Sequence, residues 1–189
     1  TTDPARVFPN MDAIIANQTP TWEVLPSVGR TLNFRLTVRD NNVQVGQTNS
    51  DDVQIIVNTT GPFVVNSPNL GTEVWYAGET KTVTWAVNST NTLSANVNIK
   101  LSLDGGYTYP ITLVSSTPND GSQVITVPNN ITTRARIKIE AATNIFFDIS
   151  NQDFEIKDQK KSDAESTCTN FENGLKENPE NKNVKCELE

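Results

Sequence analysis

Along most of the chain, hydrophobic and polar residues alternate with a period of two. The run from Lys81 to Gly106 shows it most fully. Val83, Trp85 and Val87 fall on one side and Thr82 and Thr84 on the other, and then Val97, Ile99, Leu101 and Leu103 interleave with Asn98, Lys100 and Ser102. Successive side chains of a strand point to opposite faces, so each stretch predicts a strand with one buried and one wet side. In that phase Trp85 is a core residue rather than a surface one. The same alternation recurs upstream in Leu32, Phe34, Leu36 and Val38, set between Asn33, Arg35, Thr37 and Arg39. It recurs downstream in Ala135, Ile137, Ile139 and Ala141, set between Arg134, Arg136, Lys138 and Glu140.

Turn residues divide the pattern. Asp40-Asn41-Asn42 ends one strand and leads, past Gly46, to its partner Asp51–Val57, since Asn and Asp tolerate left-handed backbone and bond their own neighbours. Thr59-Thr60-Gly61-Pro62 is a boundary. From Phe63 a full set of short strands follows: FVVN, EVWY, the two strands of the Lys81–Gly106 run, YTYPITLV with Pro110 at an edge or bulge, QVITV, RARIKIEA, NIFFDIS and DFEIK. Short strands with turn signals every ten or so residues predict an all-β, antiparallel sandwich of the Ig-like or fibronectin-like kind over residues 59–157. Residues 1–58 hold too few strands for a sandwich of their own. Met11–Ala16 predicts one helical turn or a short strand, WEVLP precedes the clear strand, and the whole reads as the closing strands of a further β-module in a longer precursor. Residues 158–189 are highly charged and predict a flexible tail.

Composition narrows the chemistry. The 189 residues carry a formal charge of −7 and no histidine. The negative balance argues against nucleic acid or an anionic membrane as a partner, and no apolar run approaches the length of a membrane helix. Without histidine there is no Ser-His-Asp or Cys-His nucleophile and no His-ligated zinc. The two cysteines, Cys168 and Cys186, both fall in the tail. A disulfide between them would close a small loop worth about 3 kcal/mol in an exported protein.

Two weak candidate sites stand out. Asp40, Asn41, Asp51 and Asp52 could gather oxygens around Ca²⁺, although their spacing matches no EF-hand or repeat loop and simple turns are the plainer explanation. Trp75, Tyr76, Tyr107 and Tyr109 could offer an aromatic stacking surface to a polysaccharide or a cell-surface protein, because neighbours on a strand face opposite ways and one of Trp75 and Tyr76 should point outward.

The phrases PARVFPNMDAIIANQTPTWEVLPSVGRTLNFRLTVRDNN, GPFVVNSPN, TVTWAVNST, VNIKLSLDGGYTYP, TPNDGS, ARIKIEA and NIFFDISNQDFEI occur here in that order. Together they resemble the Ig-like region that follows the catalytic domain in secreted reprolysin-like zinc metallopeptidases of Bacteroidetes-type bacteria. The likeness spans residues 3–157. It implies a secreted or cell-surface accessory region that spaces, stabilises or targets a catalytic domain. The His-Glu-x-x-His grip of that family has no counterpart here, so the resemblance carries over no catalytic residue and implies a non-catalytic appendage whose partner is the precursor's own peptidase domain.

Overall fold

The alternating segments pair as their phase requires. The computed structural model describes residues 6–159. After a single helical turn α1 (Met11–Ile15), the hairpin β1 (Arg30–Arg39) and β2 (Thr48–Val57) forms a two-stranded antiparallel sheet, Arg30 opposite Val57 and Arg39 opposite Thr48. Nine strands follow: β3 (Val64–Ser67), β4 (Val74–Tyr76), β5 (Thr80–Ala86), β6 (Asn96–Ser102), β7 (Ile111–Pro118), β8 (Ser122–Thr126), β9 (Thr132–Ala141), β10 (Phe147–Ile149) and β11 (Phe154–Lys157). They build two sheets, β3-β5-β8 and β4-β11-β9-β6-β7, with β10 continuing the β11 edge of β9.

The topology is that of an all-β, Ig-like sandwich. Its opening segment splits between the sheets: β3 runs antiparallel to β5 in one, while β4 runs parallel to the last strand, β11, in the other. Val65, Val83, Trp85 and Ile125 from the first sheet meet Val97, Ile99, Leu101, Ala135, Ile137, Ile139, Phe154 and Ile156 from the second in a single core. Every residue that the two-residue period placed inward on β5, β6 and β9 is buried. The sheets are also pinned by a bond across the interior, where Val65 N donates to the Asp148 carboxylate at 2.7 Å.

Three details differ from the pattern. β7 begins only at Ile111, because Pro110 has no N–H to give to a ladder, and it forms the edge of its sheet beside β6. Met11–Ile15 resolves to a helical turn capped by Asn10, whose side chain accepts from Ala13 N. WEVLP forms no strand: Trp22, Val24 and Leu25 are exposed and have no ladder to join.

The N-terminal segment touches both parts of the molecule. The Phe8 ring packs edge-on against Phe34 of β1, 5.5 Å between centroids. Arg136 Nη1 on β9 donates to Ile15 O at 3.0 Å, and Asn17 Nδ2 donates to Asn151 O at 3.3 Å.

Candidate functional site

The acidic candidates of the first turn are spent locally. Asp40 Oδ1 accepts from Asn42 N at 3.1 Å and from Gln47 N at 3.0 Å, and these donors hold its carboxyl below the usual range. Asn41 supplies the left-handed residue of the turn, with φ 51°. Asp51 and Asp52 are consecutive on β2 and so point to opposite faces. Asp52 pairs with Arg35 through two bonds of 2.6 and 2.7 Å, and Asp51 Oδ1 accepts from the Asp52 amide. Hence Asp40, Asn41, Asp51 and Asp52 do not converge, and the calcium arrangement expected of them is not formed. Among the described residues no group of three or more Asp, Glu or Cys side chains is placed to hold a metal ion.

The aromatic candidates separate as well. Trp75 is only 4% exposed and stacks at 4.4 Å on Phe154 in the core. Tyr76, its neighbour on β4, is half-buried. Tyr107 is the exposed member, at the tip of the β6–β7 turn. Tyr109 is half-buried, and its hydroxyl is enclosed without a hydrogen-bond partner. Burial pushes that phenol up, and Lys138 Nζ lies 5.6 Å from its ring. The four residues therefore give no contiguous stacking platform. Trp75 is the clearest correction: β4 is three residues long, too short to show a period, and it turns its tryptophan inward to cover Phe154.

The Asp104-Gly105-Gly106 turn is a closed hydrogen-bond cage. Asp104 Oδ1 accepts from Ser102 Oγ (2.7 Å), Tyr107 N and Thr108 N (both 3.0 Å), while Oδ2 accepts from Thr108 Oγ1 (2.7 Å). Partial burial pushes the carboxyl up, but these four donors outweigh it and bring the pKa down to about 2. Gly105 and Gly106 adopt φ +83° and +99°, a backbone conformation that strains any side chain, so the turn favours glycine at both positions.

Two polar clusters were not foreseen from the sequence. Inside, Asn119 Oδ1 accepts from Trp85 Nε1 at 2.8 Å while its Nδ2 donates to Thr90 Oγ1 and Ser94 O. On the outer face of the larger sheet, Lys100 and Lys138 grip the two oxygens of Glu140 at 2.6 and 2.7 Å. Lys138 Nζ also sits 4.5 Å from the Phe147 ring centroid. Burial pushes the Glu140 carboxyl up, yet the two ammonium groups outweigh it and hold it below its ordinary value. Nearby, Asp153 takes both Arg136 and, at 3.6 Å, Arg134. Nothing in the periodicity announces the Asn119 partner, which lies 34 residues from Trp85 in sequence. The surface cluster was legible only as a polar strand face.

Two open recesses lie on the surface. One, of about 470 Å³, lies along Glu73, Asp153, Phe154 and Glu155, and the other, of about 340 Å³, lies along Arg35, Asp52, Val53 and Gln54. The second carries the Arg35–Asp52 pair, and the first carries Asp153, whose carboxylate is held by Arg136 and Arg134. No helix among the described residues is long and apolar enough to cross a membrane. The expected Cys168–Cys186 disulfide, and all of the tail expected over 158–189 except its first two residues, lie outside the described residues. No family model, curated protein or solved structure matches the chain.

Proposed function

We propose that the chain is a non-catalytic accessory region of a secreted metallopeptidase, a β-sandwich that spaces and positions a catalytic domain carried elsewhere in the same precursor. One observation carries the reading: the polar groups that might do chemistry are spent inside the fold. Asp104 satisfies its own turn, Asp148 bonds across the sheets, Glu140 and Asp153 are held by Lys and Arg, and Asn119 fixes the core tryptophan. Groups engaged in these bonds are tied to structural partners, which leaves them poorly placed to move a proton or hold a ligand. The absence of histidine from all 189 residues and the resemblance of the ordered phrases to reprolysin-associated Ig-like regions support this reading.

The test joins genetics with an assay. A His-Glu-x-x-His zinc motif should be encoded in the same reading frame within a few hundred residues of Thr1. The isolated chain should cleave neither casein nor gelatin with or without added zinc. A frame lacking any such motif would remove the proposed parent enzyme, and zinc-dependent cleavage by the isolated chain would remove the non-catalytic role.

A further inference from the structure

The β1–β2 hairpin and the β9–β11 hairpin are the same element written twice, at a constant spacing of 101 residues. Phe34-Arg35-Leu36-Thr37-Val38 aligns with Ala135-Arg136-Ile137-Lys138-Ile139, and Asp52-Val53-Gln54-Ile55 aligns with Asp153-Phe154-Glu155-Ile156. The strand pairing obeys the same shift at its centre, where Phe34 faces Val53 and Ala135 faces Phe154, and a bulge then moves it by one residue, so that Ile156 faces Thr132 while Ile55 faces Leu32. So does the ion pair, Arg35 with Asp52 and Arg136 with Asp153. The two open recesses correspond in part, since Asp52, Val53 and Gln54 line one and Asp153, Phe154 and Glu155 the other. One-residue slips in a strand flip every side chain, so agreement in sequence spacing, register and ion pair together is a demanding coincidence.

The copies differ in what covers them. In the sandwich the inward face of Ala135, Ile137, Ile139, Phe154 and Ile156 is fully buried against β3-β5-β8. The free edge of β9 is taken by β6, and that of β11 by β4. In the hairpin the matching face is open: Leu36 is 66% and Val38 59% exposed, Val53 is exposed too, and only Leu32, Phe34, Ile55 and Val57 are half-covered. Among the described residues neither outer edge of this two-stranded sheet has a partner, each ten residues long. Long unpaired edges beside an apolar face are a surface that proteins cover rather than leave to water.

We propose that residues 30–58 are the closing hairpin of a second module of the same kind, and that its apolar face and both edges dock the opening strands of that module. The occupant is an antiparallel pair with an alternating aliphatic face, like β3-β5, together with edge strands like β4 and β6, supplied in cis by chain ahead of Thr1; at the same spacing the counterpart of β8 is residues 21–25 of this chain. The internal copy selects this occupant. A second copy of the chain stacked on the hairpin would cover Leu36 and Val38 but leave both edges unpaired, whereas the equivalents of β3 to β6 satisfy the face and the edges at once. The inference rests on the repeat and holds whether or not the protein serves a peptidase.

The experiment compares the chain Thr1–Glu189 with the same chain extended by about one hundred residues encoded ahead of it, about one repeat. Both carry Cys168→Ser and Cys186→Ser, and each receives either Leu36→Cys on the apolar face or Thr37→Cys on the polar face. In the short chain both thiols should react with maleimide at similar, rapid rates. In the extended chain Leu36→Cys should slow by about a hundredfold or more, as for a site reached only through local opening, while Thr37→Cys stays fast. Hydrogen exchange of the unsubstituted extended chain should show β1 and β2 amides newly protected, which guards against a variant that fails to fold. Equal labelling and exchange in both lengths overturns the proposal. So does slow labelling of the short chain accompanied by a dimer mass in light scattering, which would make a second copy the occupant, and so does a reading frame that opens at Thr1.

Discussion

Arg35–Asp52 and Arg136–Asp153 are cross-strand ion pairs at equivalent places in two equivalent hairpins, yet they live in different surroundings. The arginine side chain is 65% exposed in the first and 8% in the second. Arg136 is covered because Ile15 of α1 sits on it, and its guanidinium also donates to Ile15 O and Ser150 O. The pairing and the alternation are local properties, set by which residues stand opposite one another. Burial is not local: it is contributed by whatever elements arrive from elsewhere. The same hairpin sequence therefore gives a stabilising core wall in one place and a bare sheet in the other.

The comparison can be broken most visibly in the core. Ile137→Ala removes a fully buried side chain and should cost about 2–5 kcal/mol, whereas Leu36→Ala, its counterpart, should change stability by about 0.5 kcal/mol or less. Urea titrations of the two variants measure this, and equal losses would mean that the hairpin face is already covered in solution. The ion pairs come next. Arg136→Ala leaves Asp153 with only its weaker contact to Arg134 and strips the donors from Ile15 O and Ser150 O, for a loss of about 1–3 kcal/mol. Arg35→Ala breaks a pair that is mostly in water and should leave stability nearly unchanged. Thermal melts at 0.05 and 0.5 M salt should show salt screening the small effect and sparing most of the large one.

The smallest expected effect is acid sensitivity. The Asp104 carboxyl is held at about pKa 2 when folded and returns to about 4 when unfolded, so the unfolded chain binds the proton more readily. Its stabilising contribution is complete above about pH 4 and disappears as the pH falls toward 2. Asp104→Asn should flatten the pH dependence in that window relative to the unchanged chain, and a pair of parallel stability curves would rule the cage out as a source of acid lability. The hairpin offers a contrast in its own turn, where Asp40 accepts from two backbone amides only.

Much of this architecture could be read from residue order. The phase of Val83 with Trp85, and of Val97 through Leu101, identified buried faces because seven-residue strands are long enough to display a period. Trp75 could not be placed that way, since three residues define no phase, and the Phe154 ring that fixes it lies far along the chain. Tyr109 illustrates the opposite limit: it falls just before β7, and its enclosure depends on Gly106 and on the strand that carries Arg136. The acidic candidates looked like a set because Asp40, Asp51 and Asp52 are close in sequence, but antiparallel pairing and the pleat send them to different partners. The 101-residue spacing was present throughout. Divergence conceals it, for apart from Arg35/Arg136, Asp52/Asp153 and Ile55/Ile156 the aligned positions conserve only polarity and bulk. Register made it visible.

The parallel ladder between β4 and β11 has a mechanical meaning. Glu155 lies beside Val74, Ile156 beside Trp75 and Lys157 beside Tyr76, so the second and last strands of the sandwich run side by side in the same direction. Tension that enters ahead of β3 and leaves after Lys157 pulls these strands past one another along their length. Their hydrogen bonds are then strained together, in shear, rather than opened one at a time like a zipper. A module tethered between a surface and a heavy cargo would resist stretching at that seam, with Trp75 and Phe154 keyed together beneath it.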